Sequence, residues 1–325
     1  MRRLAIGLAA CALAGCAVTE TPPAPEAAPA RPADTDMGGL LSYRDLLARP
    51  RPPGAQRIAY GPGPQQFGEL RLPDGPGPHR VAVLIHGGCW QASLPGLELV
   101  DEMAEGLRRA GWAVWNVEYR RLGHDGGGYP GTFQDVAAAT DFLRTLAPRH
   151  NLDLTRVVTT GHSAGGHLAL WVAGRPRLPA GSPLRTADPL PIRGVVPVAG
   201  INDLEAYRAD GPDACGGPAT IDALVGASAR ARQDVYADTN PARLLPLGVR
   251  VIAISGARDP IVPPIFGSRY QVRASGSGDT QHFLWTLPSA GHFELIDPTS
   301  RAWNMVVRAM ESILQPSDEV VVTSR

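Results

Sequence analysis

The sequence predicts an α/β protein in which helices cover both faces of a mainly parallel sheet. Short β-branched runs alternate with helical stretches, and these runs are apolar throughout rather than alternately apolar and polar. The 325 residues are 44% hydrophobic and 19% charged, which provides ample apolar material for one core. Between residues 40 and 315 no repeat and no long Pro/Ser-rich linker divides the chain, so we expect one domain there.

Each predicted strand is a short, apolar, β-branched run: 81–85, 112–117, 157–160, 194–198, 249–255 and 282–287. Each predicted helix repeats its apolar residues at helical spacing: 97–110, 132–146 and 167–173, followed by a C-terminal helix. In such sheets the functional groups collect in the loops that follow the carboxyl ends of the strands. We therefore expect the site residues to lie in those loops.

The first residues have the pattern of an export signal. Arg2 and Arg3 precede an apolar stretch over 4–14, which is too short to span a bilayer but typical of a signal peptide. The stretch ends in Leu13-Ala14-Gly15-Cys16, which resembles the lipobox of bacterial lipoproteins. The alternative is an ordinary secretory signal with a cysteine there by chance.

The lipobox resemblance implies that residues 1–15 are removed and that Cys16 carries a lipid anchor to the membrane. Residues 16–39 are rich in proline and alanine, and we expect them to form an extended tether. Ala17 is typical of sorting to the bacterial outer membrane, which would place the protein facing the periplasm. We expect a folded domain over 40–315 and a short tail over 316–325.

The charged residues exclude several functions. The 31 cations balance 31 anions, so no basic excess is present and nucleic acid is not an expected partner. Every cation is arginine, and the chain contains no lysine. This excludes a Walker-A nucleotide site, a Schiff-base lysine and a lysine general base.

Residues Gly161-His162-Ser163-Ala164-Gly165 match the G-x-S-x-G pattern between a predicted strand and a predicted helix. The sharp turn needed to expose a serine hydroxyl leaves no room for side chains two residues to either side. Ser163 is therefore the predicted nucleophile. The alternative is a helix that simply begins with small residues.

A serine hydroxyl needs a base to remove its proton. His292 fits best among the eight histidines, because it follows the last predicted strand and precedes the C-terminal helix. His282 lies within a strand pattern, and we expect a structural role for it. His162 and His167 belong to the serine turn itself.

The acid that orients the base should follow a strand between the serine and the histidine. Asp259, in the sequence Gly256-Ala257-Arg258-Asp259-Pro260, meets this requirement directly after the strand over 249–255. The alternatives are Asp203, Glu294 and Asp297, or a loop-capping role for Asp259 itself.

The developing oxyanion needs fixed hydrogen-bond donors. Residues His86-Gly87-Gly88-Cys89-Trp90 follow the strand over 81–85, and small residues there let the backbone N–H groups turn towards a reacting carbonyl. The predicted oxyanion hole consists of the N–H groups of Gly88, Cys89 and Ala164. Trp90 either lines the substrate pocket or belongs to the core.

These motifs together resemble the α/β-hydrolase superfamily. HGGCW, GHSAGGH, GARDPIVP and AGHF occur in the expected order over nearly all of residues 40–315. HGG-x-W and GHSAGGHLAL are most similar to esterases near hormone-sensitive lipase and to kynurenine-formamidase-like and feruloyl- or acetyl-xylan-esterase-like members. Cys89 departs from the lipase-type loop, which often has a third glycine there.

The resemblance implies an acyl-enzyme route in which Ser163 attacks a carbonyl and His292 acts first as base and then as acid. It calls for no metal and no organic cofactor, and the expected partner is a small-molecule ester.

The 50 residues or so between the strands over 194–198 and 249–255 predict a small cap over 201–245. Cys89 and Cys215 are the two cysteines left in the domain, and a disulfide between them would fasten the cap to the core. Two free thiols are the alternative.

Three functions follow from these observations. The first is a carboxylic-ester hydrolase that acts on small or medium acyl groups. The second is an arylformamidase or another amide hydrolase on the same scaffold. The third is a non-catalytic lipoprotein that uses the fold to bind a partner.

Overall fold

The structure, a computed structural model, describes residues 39–315. Eight strands form one sheet: β1 Gln56–Ala59, β2 Phe67–Arg71, β3 His79–Ile85, β4 Ala113–Val117, β5 Leu152–His162, β6 Gly194–Val198, β7 Arg250–Gly256 and β8 His282–Leu287. Their order across the sheet is β1-β2-β4-β3-β5-β6-β7-β8. Strands β3 to β8 run parallel, and β1 and β2 form an antiparallel edge.

The helices of the described residues lie mostly between the strands: α1 Tyr43–Leu47, α2 Asp101–Arg109, α3 Gly131–Asp141, α4 Leu143–His150, α5 Ala164–Gly174, α6 Leu204–Asp210, α7 Gly217–Leu224, α8 Pro264–Gly276 and α9 Trp303–Ile313. Successive residues of β3 point to opposite faces of the sheet. Val81 and Val83 belong to the same core cluster as Trp171 of α5. Leu84 belongs to a second core cluster, with Met103 of α2 and Met310 of α9. Helices therefore cover both faces, and the predicted α/β class is confirmed.

Most predicted elements occur with altered bounds. The predicted helix over 97–110 begins with a 3-10 turn, Leu97–Val100, before α2. The predicted helix over 132–146 is two helices that meet at Phe142. The strand predicted over 157–160 extends to the eleven residues of β5.

The antiparallel edge was not predicted, because its residues do not form an apolar run. β1 is largely exposed, and β2 carries Glu69 and Arg71. These two charged side chains are nevertheless buried. Arg71 donates to the carbonyl oxygens of Pro52 and Pro53, and Glu69 accepts from Arg51, so the buried charges are partnered.

Several sequence predictions concern residues outside the described range. The predicted signal peptide, Cys16, nearly all of the tether and the tail over 316–325 lie there. Within residues 39–315, no helix is long and apolar enough to cross a membrane.

Candidate active site

Ser163 occupies a sharp turn between β5 and α5. Its backbone has φ 57° and ψ −119°, a left-handed conformation that costs a non-glycine residue about 1–3 kcal/mol. The turn is held by neighbouring loops: the Ser163 N–H donates to the Val198 carbonyl at 2.9 Å, and the Ser163 carbonyl accepts from the Ile201 N–H at 3.2 Å. The surrounding structure thus holds the predicted nucleophile in the strained conformation expected of it.

The two glycines that flank Ser163 in the motif leave no room for a side chain. A Cβ atom at Gly165 would lie 2.0 Å from the carbonyl oxygen of Ile85, and one at Gly161 would lie 2.3 Å from the carbonyl oxygen of Gly165. Both neighbours are backbone atoms, which cannot move aside as a flexible side chain can. The close approach of β3, β5 and α5 therefore explains why glycine occupies both positions.

We expect Gly165→Ala to lower the free energy of unfolding by at least about 3 kcal/mol, because the added methyl group overlaps backbone on β3. Gly181→Ala is the matched control, since a Cβ atom at Gly181 would meet nothing within 4 Å. Urea unfolding of both variants measures the effect. Equal stabilities for the two variants would contradict the steric account.

Asp259 and His292 form a buried hydrogen-bonded pair. The His292 Nδ1 atom lies 2.6 Å from the Asp259 Oδ2 atom. Asp259 Oδ1 accepts from the backbone N–H groups of Ile261 and Val262, each at 2.8 Å. Because an ionised carboxylate can only accept, Nδ1 of His292 carries the proton and Nε2 is left as the basic atom.

The other candidate acids have structural partners. Asp203 caps the N-terminus of α6 and pairs with Arg273. Asp297 pairs with Arg49. Glu294 accepts from the backbone N–H of Gly291. Within the described residues, Asp259 is the only one of these acids that hydrogen-bonds the His292 side chain.

His162 places the His292 loop beside the serine turn. The Nε2 atom of His162 lies 3.1 Å from the carbonyl oxygen of His292, and the two rings are 4.4 Å apart between centroids. Burial, together with the neighbouring His292, holds the pKa of His162 well below its ordinary value. His162 is therefore neutral near pH 7 and places no positive charge beside the His292 ring.

His282 and His167 have the structural roles expected of buried histidines. His282 pairs with Asp279 at 3.0 Å. His167 hydrogen-bonds the carbonyl oxygen of Thr239 at 2.9 Å, and burial lowers its pKa to about 4.

Residues 87–91, here named the oxyanion turn, pack directly on the nucleophile. A Cβ atom at Gly87 would lie 3.1 Å from the Cβ atom of Ser163. Gly88, Cys89 and Trp90 have φ values of 88°, 49° and 56°, and the turn closes through a hydrogen bond from the Gln91 N–H to the Gly88 carbonyl. Two successive non-glycine residues in this conformation cost about 1–2 kcal/mol each.

The oxyanion turn presents free donors. Within residues 39–315 the N–H groups of Gly88 and Cys89 donate no hydrogen bond. Ala164 is the first residue of α5, so its N–H has no intrahelical partner. The three predicted oxyanion donors thus belong to segments that flank Ser163, and the two in the oxyanion turn, on half-buried Gly88 and buried Cys89, are unpaired.

Trp90 occupies a core position, and its place in the lining of a substrate pocket stays a prediction. Its side chain is fully buried and packs edge-to-face on His167, with 5.3 Å between the ring centroids. Trp90 belongs to the same core cluster as Phe133 and Trp171. The indole therefore anchors the oxyanion turn in the core, which is the alternative that the sequence left open.

Sequence reasoning missed a buried polar network formed by His86, Glu118 and Arg121. Glu118 Oε1 lies 3.1 Å from Nε2 of His86, and Glu118 Oε2 accepts from the Leu97 N–H. Arg121 donates to the Leu94 carbonyl at 2.7 Å. The network ties both ends of the loop that carries the oxyanion turn. A signal was present, because Glu118 directly follows β4 at the carboxyl edge of the sheet.

We expect Glu118→Gln to destabilise the fold by about 1.5–3 kcal/mol at pH 7, because hydrogen bonds to a buried charge are lost. Burial alone would raise the pKa of Glu118, but His86 and Arg121 outweigh burial and lower it from 4.5 to about 2. Ionised Glu118 therefore stabilises the fold above about pH 4.5, and this contribution is lost as the pH falls towards 2.

The stability difference between wild type and Glu118→Gln should therefore shrink between pH 5 and pH 3 in urea titrations. Glu311→Gln serves as the control, because the Glu311 side chain is half-exposed and its ion pair with Arg80 is 3.5 Å long. A difference that stays constant down to pH 3 would contradict the assignment of a stabilising charge to Glu118.

Residues 201–245, predicted as a cap and here named the cap segment, contact three segments of the site. Cys215 is joined to Cys89 by a disulfide with an S–S distance of 2.01 Å. The hydroxyl of Tyr207 donates to the carbonyl of Ile261, in the loop that holds Asp259. His167, on the nucleophile helix α5, bonds the carbonyl of Thr239. The cap segment thus touches the oxyanion turn, the acid loop and the nucleophile helix.

A comparison with protein-family models matches residues 70–269 to the BD-FAE family. This range includes the oxyanion turn, Ser163 and Asp259, but not His292. A search of the curated proteins gave no match.

Solved esterases share the fold. The bifunctional GH43-CE protein of Bacteroides eggerthii is 23% identical, with a TM-score of 0.64. The match covers 79% of this chain and 37% of that longer protein. A truncated carbohydrate esterase from gut microbiota is 17% identical, with a TM-score of 0.64 and 80% and 96% of the two chains covered. Esterase B of Lactobacillus rhamnosis is 22% identical, with a TM-score of 0.69 and 83% and 90% covered.

Proposed function

Because the chain belongs to the BD-FAE family of α/β-hydrolase esterases, we propose that it hydrolyses carboxylic esters of small or medium acyl groups through an acyl-serine at Ser163. The observation that carries this proposal is the turn that packs on Ser163 with two unpaired N–H groups. Unpaired donors on buried or half-buried residues are unfavourable unless water or a ligand uses them. A developing oxyanion is such a ligand.

In the proposed first step, the Ser163 oxygen bonds to the ester carbonyl carbon while Nε2 of His292 takes the hydroxyl proton. Asp259 stabilises the imidazolium through Nδ1, and the N–H groups of Gly88, Cys89 and Ala164 bind the oxyanion. His292 then gives the proton to the leaving alcohol as the C–O bond breaks. Water then attacks the acyl carbon while His292 takes a proton from it. The bond between the acyl carbon and the Ser163 oxygen breaks, His292 returns the proton to that oxygen, and the acid leaves.

A substrate panel tests this proposal. It comprises p-nitrophenyl esters of acetate, butyrate, octanoate and palmitate, an acetylated sugar and N-formylkynurenine. The sugar is included because one of the structural neighbours is a carbohydrate esterase by name. We expect the highest kcat/KM on acetate or butyrate. Faster turnover of N-formylkynurenine would favour an arylformamidase instead, and no turnover of any compound would favour a binding protein.

We also propose that the protein is exported and anchored through a lipid on Cys16, facing the periplasm. The lipobox-like residues 13–16 support this, and so does the disulfide, because such bonds persist in oxidising compartments. Cys16→Ser is expected to abolish labelling by radioactive palmitate and to move the protein from the membrane to the soluble fraction. Unchanged labelling of Cys16→Ser would contradict the proposal.

A further inference from the structure

The oxyanion turn is fastened to the cap segment at two adjacent points. The Cys89–Cys215 disulfide joins residues 126 positions apart in the chain. Next to it, Nε2 of Gln91 donates to the carbonyl oxygen of Cys215 at 3.1 Å. Both attachments converge on Cys215, so one residue of the cap segment holds two residues of the turn.

The turn needs to be held from outside. Gly88, Cys89 and Trp90 are consecutive left-handed residues, a conformation that only glycine adopts readily. Inside the turn a single hydrogen bond, from the Gln91 N–H to the Gly88 carbonyl, closes the backbone. Trp90 is fixed by burial and by the Leu122 N–H, which donates to its carbonyl at 2.7 Å. The disulfide is the corresponding restraint on the side chain of Cys89.

The Cys215 end of the attachment is itself well packed. Cys215 is buried, in a 3-10 turn closed by the Gly216 N–H and the Asp213 carbonyl at 2.8 Å. The helix α7 that follows buries Ile221 and Leu224 in the main core cluster. The disulfide therefore connects the turn to a fixed part of the structure rather than to a loose loop.

We propose that the Cys89–Cys215 disulfide is a positioning device for catalysis: it holds Cys89 so that its N–H group points at the oxyanion. This inference rests on the proposed function. The tethered residue is the one whose N–H is a proposed donor, so the restraint acts directly on the catalytic geometry. Loss of the disulfide would let Cys89 leave the left-handed conformation. Only those molecules in which Cys89 keeps that conformation would then be catalytically active.

The proposal predicts that loss of the disulfide lowers kcat and leaves KM nearly unchanged. An oxyanion donor binds charge that develops in the transition state, so its misplacement lowers kcat with little change in ground-state binding. Removing one such donor lowers kcat by about 10²–10³-fold. Because the turn remains partly populated without its tether, we expect kcat to fall by about 10- to 100-fold and KM to change by less than about twofold.

The experiment compares wild type, Cys215→Ala and Cys215→Ser with p-nitrophenyl butyrate as substrate. Each protein is measured with and without the reductant TCEP, at a temperature where its near-ultraviolet circular dichroism shows native packing. Both variants and reduced wild type should show the lowered kcat, and reoxidation should restore wild type alone. Arg208→Ala is the matched control, because it removes the Arg208–Asp222 pair of the cap segment without touching Cys215.

An unchanged kcat in folded Cys215→Ala or in folded, reduced wild type would overturn the inference. So would a rise in KM alone, which would indicate that the disulfide only docks the cap segment. Two titratable thiols in the folded domain of unreduced protein would also overturn it. If the Cys215 variants do not fold, the reduced wild type decides. Failure of the proposed function is a different result: oxidised wild type would show no ester turnover that depends on Ser163.

Discussion

Ser163→Ala is expected to lower kcat for ester hydrolysis by about 10⁴- to 10⁶-fold, because no other group can form the acyl intermediate. The melting temperature should change little, since alanine fits the buried turn in place of serine. Steady-state kinetics on p-nitrophenyl acetate and a thermal melt measure the two effects.

Ser268→Ala is the control for this substitution. Its hydroxyl makes a 3.3 Å hydrogen bond to the carbonyl of Pro264 within α8, outside the site. Wild-type kcat is expected for Ser268→Ala. If folded Ser163→Ala kept more than about 1% of wild-type kcat, well above the residual rate expected from binding alone, the nucleophile assignment would be wrong.

Asp259→Asn is expected to lower kcat by about 10⁴-fold with KM little changed. An asparagine amide directed at Nδ1 of His292 donates a hydrogen bond, which favours the tautomer with the proton on Nε2. That tautomer cannot accept the proton of Ser163. The side-chain oxygen can still accept from the Ile261 and Val262 N–H groups, so the loop should keep its conformation.

The chain offers a matched control for Asp259→Asn. Asp279 and His282 form a second buried Asp–His pair, with 3.0 Å between Nε2 and Oδ2, and neither residue belongs to the site. Asp279→Asn tests the general effect of weakening such a pair, which should appear in the melting temperature and not in kcat. Equal losses of kcat in the two variants would indicate that Asp259 acts through stability alone.

The parts of the site that the sequence predicted are those that obey local rules. Ser163 is flanked by glycines that the packing of β3, β5 and α5 requires. A sequence motif of five residues is therefore enough to identify it. Asp259 and His292 each follow a strand, and parallel strands bring the loops at their carboxyl ends to one edge of the sheet. Their hydrogen bond spans 33 residues but follows from topology alone.

The parts that the sequence missed or left open depend on side-chain packing between distant segments. A tryptophan beside the oxyanion turn is compatible with a pocket wall or a core position, and only the contact of Trp90 with His167 on α5 decides. Glu118 bears a charge, and charged side chains are usually exposed, whereas its pairing with His86 and Arg121 permits burial. The strand β2 was not predicted for the same reason, because Glu69 and Arg71 are charged and yet buried.

The central claim is that the Ser163 hydroxyl is activated as a nucleophile, and covalent labelling tests it most directly. A fluorophosphonate probe bonds to an activated serine, and mass spectrometry of the digested protein identifies the labelled residue. We expect one equivalent of label on Ser163, with none on Ser163→Ala and strongly slowed labelling of Asp259→Asn. Label on another residue of the wild type, or an unlabelled wild type that is folded and oxidised, would contradict the account.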